Sequence, residues 1–333
     1  MATHLGHTLG TPGLTPLEAI DLFAAAGLDG AEIIWQDGYR GAIPESDPGE
    51  TAVAVREHAA ALGLRIGCLT PYITELNALD DGTREREISR VEAAIKVASL
   101  LACPRIRVYA GTLLGHEPAE EVPRRWSRLV DALRQLGRRA SDAGIILCVE
   151  NHFSTMTVSA AESVALMTEV DAAGVGILYD QANLAFTHRE PYEVAIALQA
   201  RWIRHVHVKD LVFLRPDVEL RTSQVASIDK EQRVHASRMI GDGILDWPGI
   251  VEALRATGYD GSYSLEYEYR WNPEDLPVPE VGFPESARRL RALFDGPSSP
   301  ALVEADATAE AIAGSGSGTR RRDPKAEIAP GGE

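Results

Sequence analysis

Four short apolar runs end in side chains that ligate divalent cations. Glu150 closes IILCVE just before Asn151 and His152, Asp180 lies in GILYDQAN, His207 in IRHVHVKD and Glu266 in YSLEYEY. Singly, each has an ordinary explanation: a helix cap for a carboxylate, a hydrogen-bonded imidazole within a strand. Together they need more, because acidic groups gathered in a protein interior without a counter-charge are strongly unfavourable. Three carboxylates and one imidazole make a mostly oxygen donor set, which suits Mn2+ first, Mg2+ or Co2+ as well, and admits Zn2+. His205 and His207 share one face of their strand, so either could be the nitrogen donor; His207 is nearer the C-terminal end.

For residues thirty, twenty-seven and fifty-nine positions apart to converge, successive strands must end around one mouth. β-rich runs at residues 4–9, 31–35, 65–70, 105–110, 145–151, 175–180, 203–209 and 262–267 alternate with amphipathic helical runs. That alternation is what parallel strands joined by crossover helices require. Thr15-Pro16 opens a helix that closes at Gly27, and residues 126–143 form another that closes at Gly144. The same ending recurs as AAGLDG, ALGLRIG, DAGIIL, AAGVGIL and ATGYDG, each with its glycine within a few residues of the next strand. Eight such units, with neither a GxGxxG nor a Walker loop, specify a (β/α)8 TIM barrel rather than a doubly wound nucleotide-binding sheet.

The barrel is expected to be a single domain over residues 1–295. Residues 296–333, with SSP, GSGSG and PGGE, are expected to be a disordered tail. Residues 211–240 make an unusually long connection after the seventh strand, read as a lid or a partner-docking segment.

Composition narrows the function. A 45% hydrophobic and 25% charged chain of 333 residues can bury a sizeable core. Its net charge of -16 opposes phosphate backbones and anionic lipid, so no nucleic-acid or membrane partner is expected. An abasic-site nuclease on this fold would draw zinc-binding histidines from strands two and three, and EIIWQ and RIGCLTPY contain none. Cys68, Cys103 and Cys148 form no CxxC pair and read as buried thiols. The opening MATHLGHTLG has no signal-peptide pattern and no run reaches eighteen apolar residues, so a cytoplasmic location is expected.

The ordered set ENH, YDQAN, HVHVKD, GDG with a following DW, and SLEYE resembles the sugar phosphate isomerase/epimerase superfamily. These are xylose-isomerase-like barrels that include tagatose epimerase-like enzymes, inosose dehydratases and hydroxypyruvate isomerases, and the likeness covers residues 1–295. It implies that Glu150, Asp180, His207 and Glu266 bind the ion. It further implies that Glu150 and Glu266 act as acid and base, passing a proton next to the carbonyl of a sugar or keto-sugar through a metal-stabilised enediolate. This chain has Asn183 where the epimerase branch has a substrate-binding histidine. Asparagine hydrogen-bonds a hydroxyl but carries no proton.

His152, two residues past Glu150, is then a second candidate base, or an orienting partner of Glu150. The pattern also resembles the catalytic subunits of C-glycoside deglycosidases, manganese-binding lyases of 3-oxo-glucosides that pair with a small β-rich subunit. A lyase of that kind or an inosose dehydratase is the alternative to an isomerase or epimerase, and a homo-oligomer or a complex with such a subunit is expected. Asn183, Lys209, Arg270, His7, Trp35 and Tyr109 are candidate substrate contacts, with Tyr72, Tyr267 and Glu268 beside them. Lys209 could instead pair internally with Asp210.

Overall fold

The protein is represented by a computed structural model that describes residues 2–46, 48–218 and 233–295. Eight parallel strands form the barrel: β1 (Thr3–His7), β2 (Gly30–Trp35), β3 (Arg65–Pro71), β4 (Arg105–Tyr109), β5 (Ile146–Glu150), β6 (Val175–Asp180), β7 (Ile203–Val208) and β8 (Ser262–Leu265). Each pairs with its neighbours in sequence, and β1 closes the ring by pairing with both β8 and β2. The (β/α)8 architecture read from the sequence is the one observed.

Between strands run α1 (Pro16–Ala25), α2 (Pro48–Ala61), α3 (Asp81–Leu100), α4 (Val122–Asp142), α5 (Ala160–Val170), α6 (Gln181–His188), α7 (Tyr192–Gln199) and α8 (Trp247–Ala256), and α9 (Pro279–Asp295) follows β8. Thr15 and Ser159 close capping boxes with Glu18 and Glu162, which satisfies the first free N–H groups of α1 and α5. The helix expected over 126–143 begins earlier, at Val122, with Pro123 in its first turn. The sixth crossover is two helices rather than one. Arg189 turns left-handed at φ 52° and Pro191 lacks an N–H, so α6 cannot continue into α7.

Part of the long connection forms a second, two-stranded sheet. Asp210–Phe213 and His235–Arg238 pair as an antiparallel ribbon, while residues 219–232 and the tail expected at 296–333 lie outside the described residues. Asp210 anchors the ribbon by accepting the backbone N–H groups of Leu211, Gly241, Gly243 and Leu245 at 2.9–3.2 Å. Gly243 is required there, since a Cβ would sit 2.0 Å from Asp210 Oδ1. Among the described residues, no helix is long and apolar enough to cross a membrane.

Apolar side chains from the outer strand faces and the helices form one large core. The inner faces differ. Leu5 fills space left by Gly67, and above it lies a polar layer of His7, Glu32, Thr70 and His205. The candidate donors sit on top of that layer, at the C-terminal ends of the strands.

Candidate metal centre

Strand register brings the donors together. Asp180 stands opposite His207, an alignment set by the register shift at Ile177/Leu178, and Glu150 stands opposite Leu178 on the other side of β6. Glu266 directly follows β8. One ligand atom from each of Glu150, Asp180, His207 and Glu266 lies within 4.8 Å of all the others. His207 Nδ1 faces three carboxylates, at 3.2 Å from Glu266 Oε2, 3.6 Å from Glu150 Oε1 and 3.8 Å from Asp180 Oδ2, and makes no hydrogen bond. His205 lies deeper, with Nε2 2.8 Å from Glu32, and is not part of this group.

Asp180 divides its carboxylate. Oδ1 accepts the Asn183 N–H and caps α6, so the ordinary helix-cap role is present; Oδ2 faces inward, 2.9 Å from Lys209 Nζ. Lys209 also reaches Glu266 Oε2 at 2.7 Å. The Lys209–Asp210 pair offered by the sequence does not form, because Asp210 is occupied by backbone amides.

The set fits a dication on two counts. His207 Nδ1 is a buried nitrogen without a hydrogen-bond partner and directed at oxygens. Charge balance is the second: with the histidines neutral, as a coordinating imidazole must be, Glu32, Glu150, Asp180 and Glu266 are buried acids, whereas among the described residues only Arg107 and Lys209 are buried cations in contact with them. Four negative charges against two positive leave two, which one divalent ion neutralises.

Arg107 is a functional residue that the sequence reading missed. It is fully buried, its Nε donates to Glu150 Oε2 at 2.7 Å, and its remaining N–H groups bond Pro71 O and Tyr109 OH. The signal was a charged residue at mid-strand in RIRVY, on the same face as Tyr109, where burial demands a partner. Arg107→Met is expected to lower the unfolding free energy of the metal-free protein by about 3–5 kcal/mol, because Glu150 is left as an unpaired buried charge. Urea denaturation monitored by circular dichroism checks this, and an unchanged midpoint contradicts it.

Burial pushes the Asp180 carboxyl up to about 6 against the opposing pull of Lys209. Two pH dependences of opposite sign follow. In the metal-free protein, the stability contributed by the neutral carboxyl is present at low pH and is lost as pH rises through about 6. A bound cation must displace that proton and also the one that the surrounding carboxylates favour on His207, so apparent Mn2+ affinity is expected to fall steeply with pH below about 6, where both protons must leave, and less steeply above it. Titration calorimetry on either side of that pH reads the slope; a flat profile would falsify the assignment.

A cavity of about 440 Å3 opens over the centre. Glu266, His152 and Lys209 line it, whereas Glu150 is absent from its wall, held beneath by Arg107 and by Asn183 Nδ2 at 3.1 Å from Oε1. His152 Nδ1 lies 2.7 Å from Phe153 O, which assigns the proton to Nδ1 and leaves Nε2 as an acceptor. Burial pushes this imidazole down to about 4, so it is neutral near pH 7. Tyr39, Tyr72, Tyr109, Phe153, Phe186 and Trp271 give the cavity an aromatic wall.

The other expected substrate contacts divide. Tyr109 and Lys209 line the cavity and Arg270 stacks at its rim over Tyr39, 4.0 Å from the ring centroid. Three do not reach it. Asn183 is spent on Glu150 and Asn151, His7 points at Glu32 below the centre, and Trp35 belongs to the core outside the barrel. Parity explains Trp35: Glu32 faces inward, so Trp35, three positions on, faces the helices. His7 is one layer too low, and Leu9 takes the place at the cavity wall.

An α/β barrel with an acidic donor cluster beneath an open mouth is the class that fold and site define. The chain belongs to the xylose isomerase-like TIM barrel family, whose sequence pattern matches residues 20–293. It is 32% identical over 145 residues to an inosose dehydratase of Geobacillus thermodenitrificans and 31% identical over 153 residues to one of Lacticaseibacillus casei. Each match covers 43% of this chain and 47% of the relative, about half of either length. Among solved structures, a 3-keto-D-glucoside 4-epimerase of E. coli superposes with a TM-score of 0.67 at 18% identity, over 88% of this chain and 100% of that one. A D-psicose 3-epimerase gives 0.67 at 16% identity over the same shares. At these identities the structural likeness speaks for the fold alone.

Proposed function

We propose that this chain is a divalent-metal-dependent isomerase or epimerase that moves a proton next to the carbonyl of a sugar or keto-sugar. The observation that carries the reading is the convergence of Glu150, Asp180, His207 and Glu266 within 4.8 Å beneath a cavity. These four residues would hold the ion, Mn2+ by preference for its mixed oxygen and nitrogen donors, with Mg2+, Co2+ or Zn2+ admissible. When bound, a dication supplies polarisation of a carbonyl oxygen. Glu266 and His152, two proton-carrying groups of the cavity wall, exchange protons with substrate carbons and oxygens. Lys209 and Arg107 hold the carboxylates in place, and the aromatic wall excludes water.

A second reading, a lyase acting on an oxo-sugar such as a 3-oxo-glucoside or an inosose, is favoured by two features. The cavity falls within the roughly 300–1,000 Å3 range of sites for drug-sized ligands, and its aromatic wall suits an apolar substituent on the ring. Glu150 is also shielded from the cavity, which leaves an unlike pair, Glu266 and His152, in place of two glutamates. Manganese-loaded protein incubated in D2O with ketoses, inososes and 3-oxo-glucosides separates the readings. Deuterium uptake without cleavage supports isomerisation or epimerisation; loss of water or aglycone supports the lyase. The panel is run with and without any small β-rich protein encoded beside this one, the partner proposed for the ribbon connection. Inertness towards every substrate under both conditions would overturn both.

A further inference from the structure

We infer that Glu32, on the inner face of β2 and outside the donor cluster, is a positioning residue that fixes which nitrogen of His207 is free for the cation. The inference rests on the metal-centre reading above and adds a residue to it. Glu32 is fully buried in the barrel and surrounded by donors. Thr70 Oγ1 donates to its Oε1, His207 Nε2 lies 3.2 Å and His7 Nε2 3.5 Å from the same oxygen, and His205 Nε2 lies 2.8 Å from Oε2.

With a cation in place His207 must be a neutral imidazole, and the hydrogen-bond logic then has one solution. An ionised carboxylate only accepts, and a neutral imidazole has one N–H. His7 Nδ1 accepts the Leu9 N–H at 3.0 Å, so its proton is on Nε2 and points at Glu32. For His207 to satisfy Glu32 its proton must likewise sit on Nε2, which leaves the Nδ1 lone pair facing Glu150, Asp180 and Glu266. Those three carboxylates pull the other way, since in the metal-free protein each would accept a proton placed on Nδ1, at 3.2–3.8 Å. Among the described residues Glu32 is the single carboxylate on the opposite edge of the ring that opposes them, and Thr70 and His7 hold it in place. An imidazole whose far N–H is anchored on a carboxylate is fixed in both tautomer and orientation, and loss of such an anchor weakens metal binding by about 10–100-fold in comparable sites.

The test uses Mn2+ alone as the probe, on wild type, Glu32→Gln and Glu32→Asp. Glutamine keeps the volume but turns an anion into a neutral amide, half of which must donate. Its Mn2+ dissociation constant, from calorimetry or electron paramagnetic resonance, is expected to rise by about 10–100-fold. Aspartate, which keeps the charge, is expected to recover part of the affinity, while far-ultraviolet circular dichroism of all three metal-free proteins stays the same. Long-range 15N–1H NMR of the zinc-loaded wild type is expected to find the His207 proton on Nε2. A Glu32→Gln affinity within twofold of wild type, or a proton on Nδ1, overturns the inference while leaving the metal centre standing. Failure of wild type itself to bind Mn2+ removes the metal reading and this inference with it.

Discussion

Glu266→Gln is expected to reduce kcat by at least about a hundredfold, the range for removing a positioned acid or base. Glu266 is the one member of the donor cluster that also lines the cavity, so it is both a ligand and the carboxylate that substrate meets. Its Oε2 lies 2.7 Å from Lys209 Nζ, and a glutamine would place either an amide oxygen or an N–H2 there without being able to carry a proton. Glu150→Gln is expected to lose at least as much activity by a different route. Both oxygens of Glu150 are held from below, by Arg107 and Asn183, so its loss disorders the centre instead of removing a group from the cavity. Deuterium exchange into substrate, followed beside Mn2+ affinity, tells the two apart: Glu266→Gln retains more of its affinity than of its turnover, and Glu150→Gln loses both. Near-normal turnover in either variant contradicts its role.

Removal of the cation is expected to have the second large effect. Without it, four buried carboxylates face two buried cations, and the surplus of negative charge is relieved only by taking up protons or by loosening the mouth. Chelation should therefore abolish turnover and also lower the unfolding free energy. With free Mn2+ at about a hundred times its dissociation constant, the linked stabilisation is about 2.7 kcal/mol. Paired urea titrations with and without a chelator measure it, and addition of Mn2+ is expected to restore both stability and activity. Coincident curves would show that the protein binds no ion in its native form.

Much of this architecture is written in local patterns. Glycine stops followed by apolar runs announce each helix-to-strand turn, and ligand-type residues at the ends of β5 to β8 announce the mouth. What local pattern does not carry is depth and facing. His7 and Leu9 both point inward from the start of the chain, and only the stagger between strands decides which meets the cavity. Trp35 is a plausible cavity-wall residue until Glu32, three positions earlier, is recognised as the inward-facing one. Glu32 and Arg107 were legible in principle, since charges at mid-strand in GAEIIW and RIRVY have nowhere to go but into a paired interior. Partners such as His205 and His207 for Glu32, 173 and 175 positions away, and Glu150 for Arg107, 43 positions away, became known only from the closed barrel.

The way Asp210 grips its surroundings bears on how this barrel could be re-engineered. All four of its partners are main-chain amides, so the grip depends on backbone shape and, at position 243, on the absence of a side chain. The ribbon is thus tied at its base to the glycine-containing turn that precedes α8. A replacement of the excursion between Phe213 and His235 would have to keep Val234, which packs with Leu211, Phe153 and Phe186, and Arg233, which donates to Asp275.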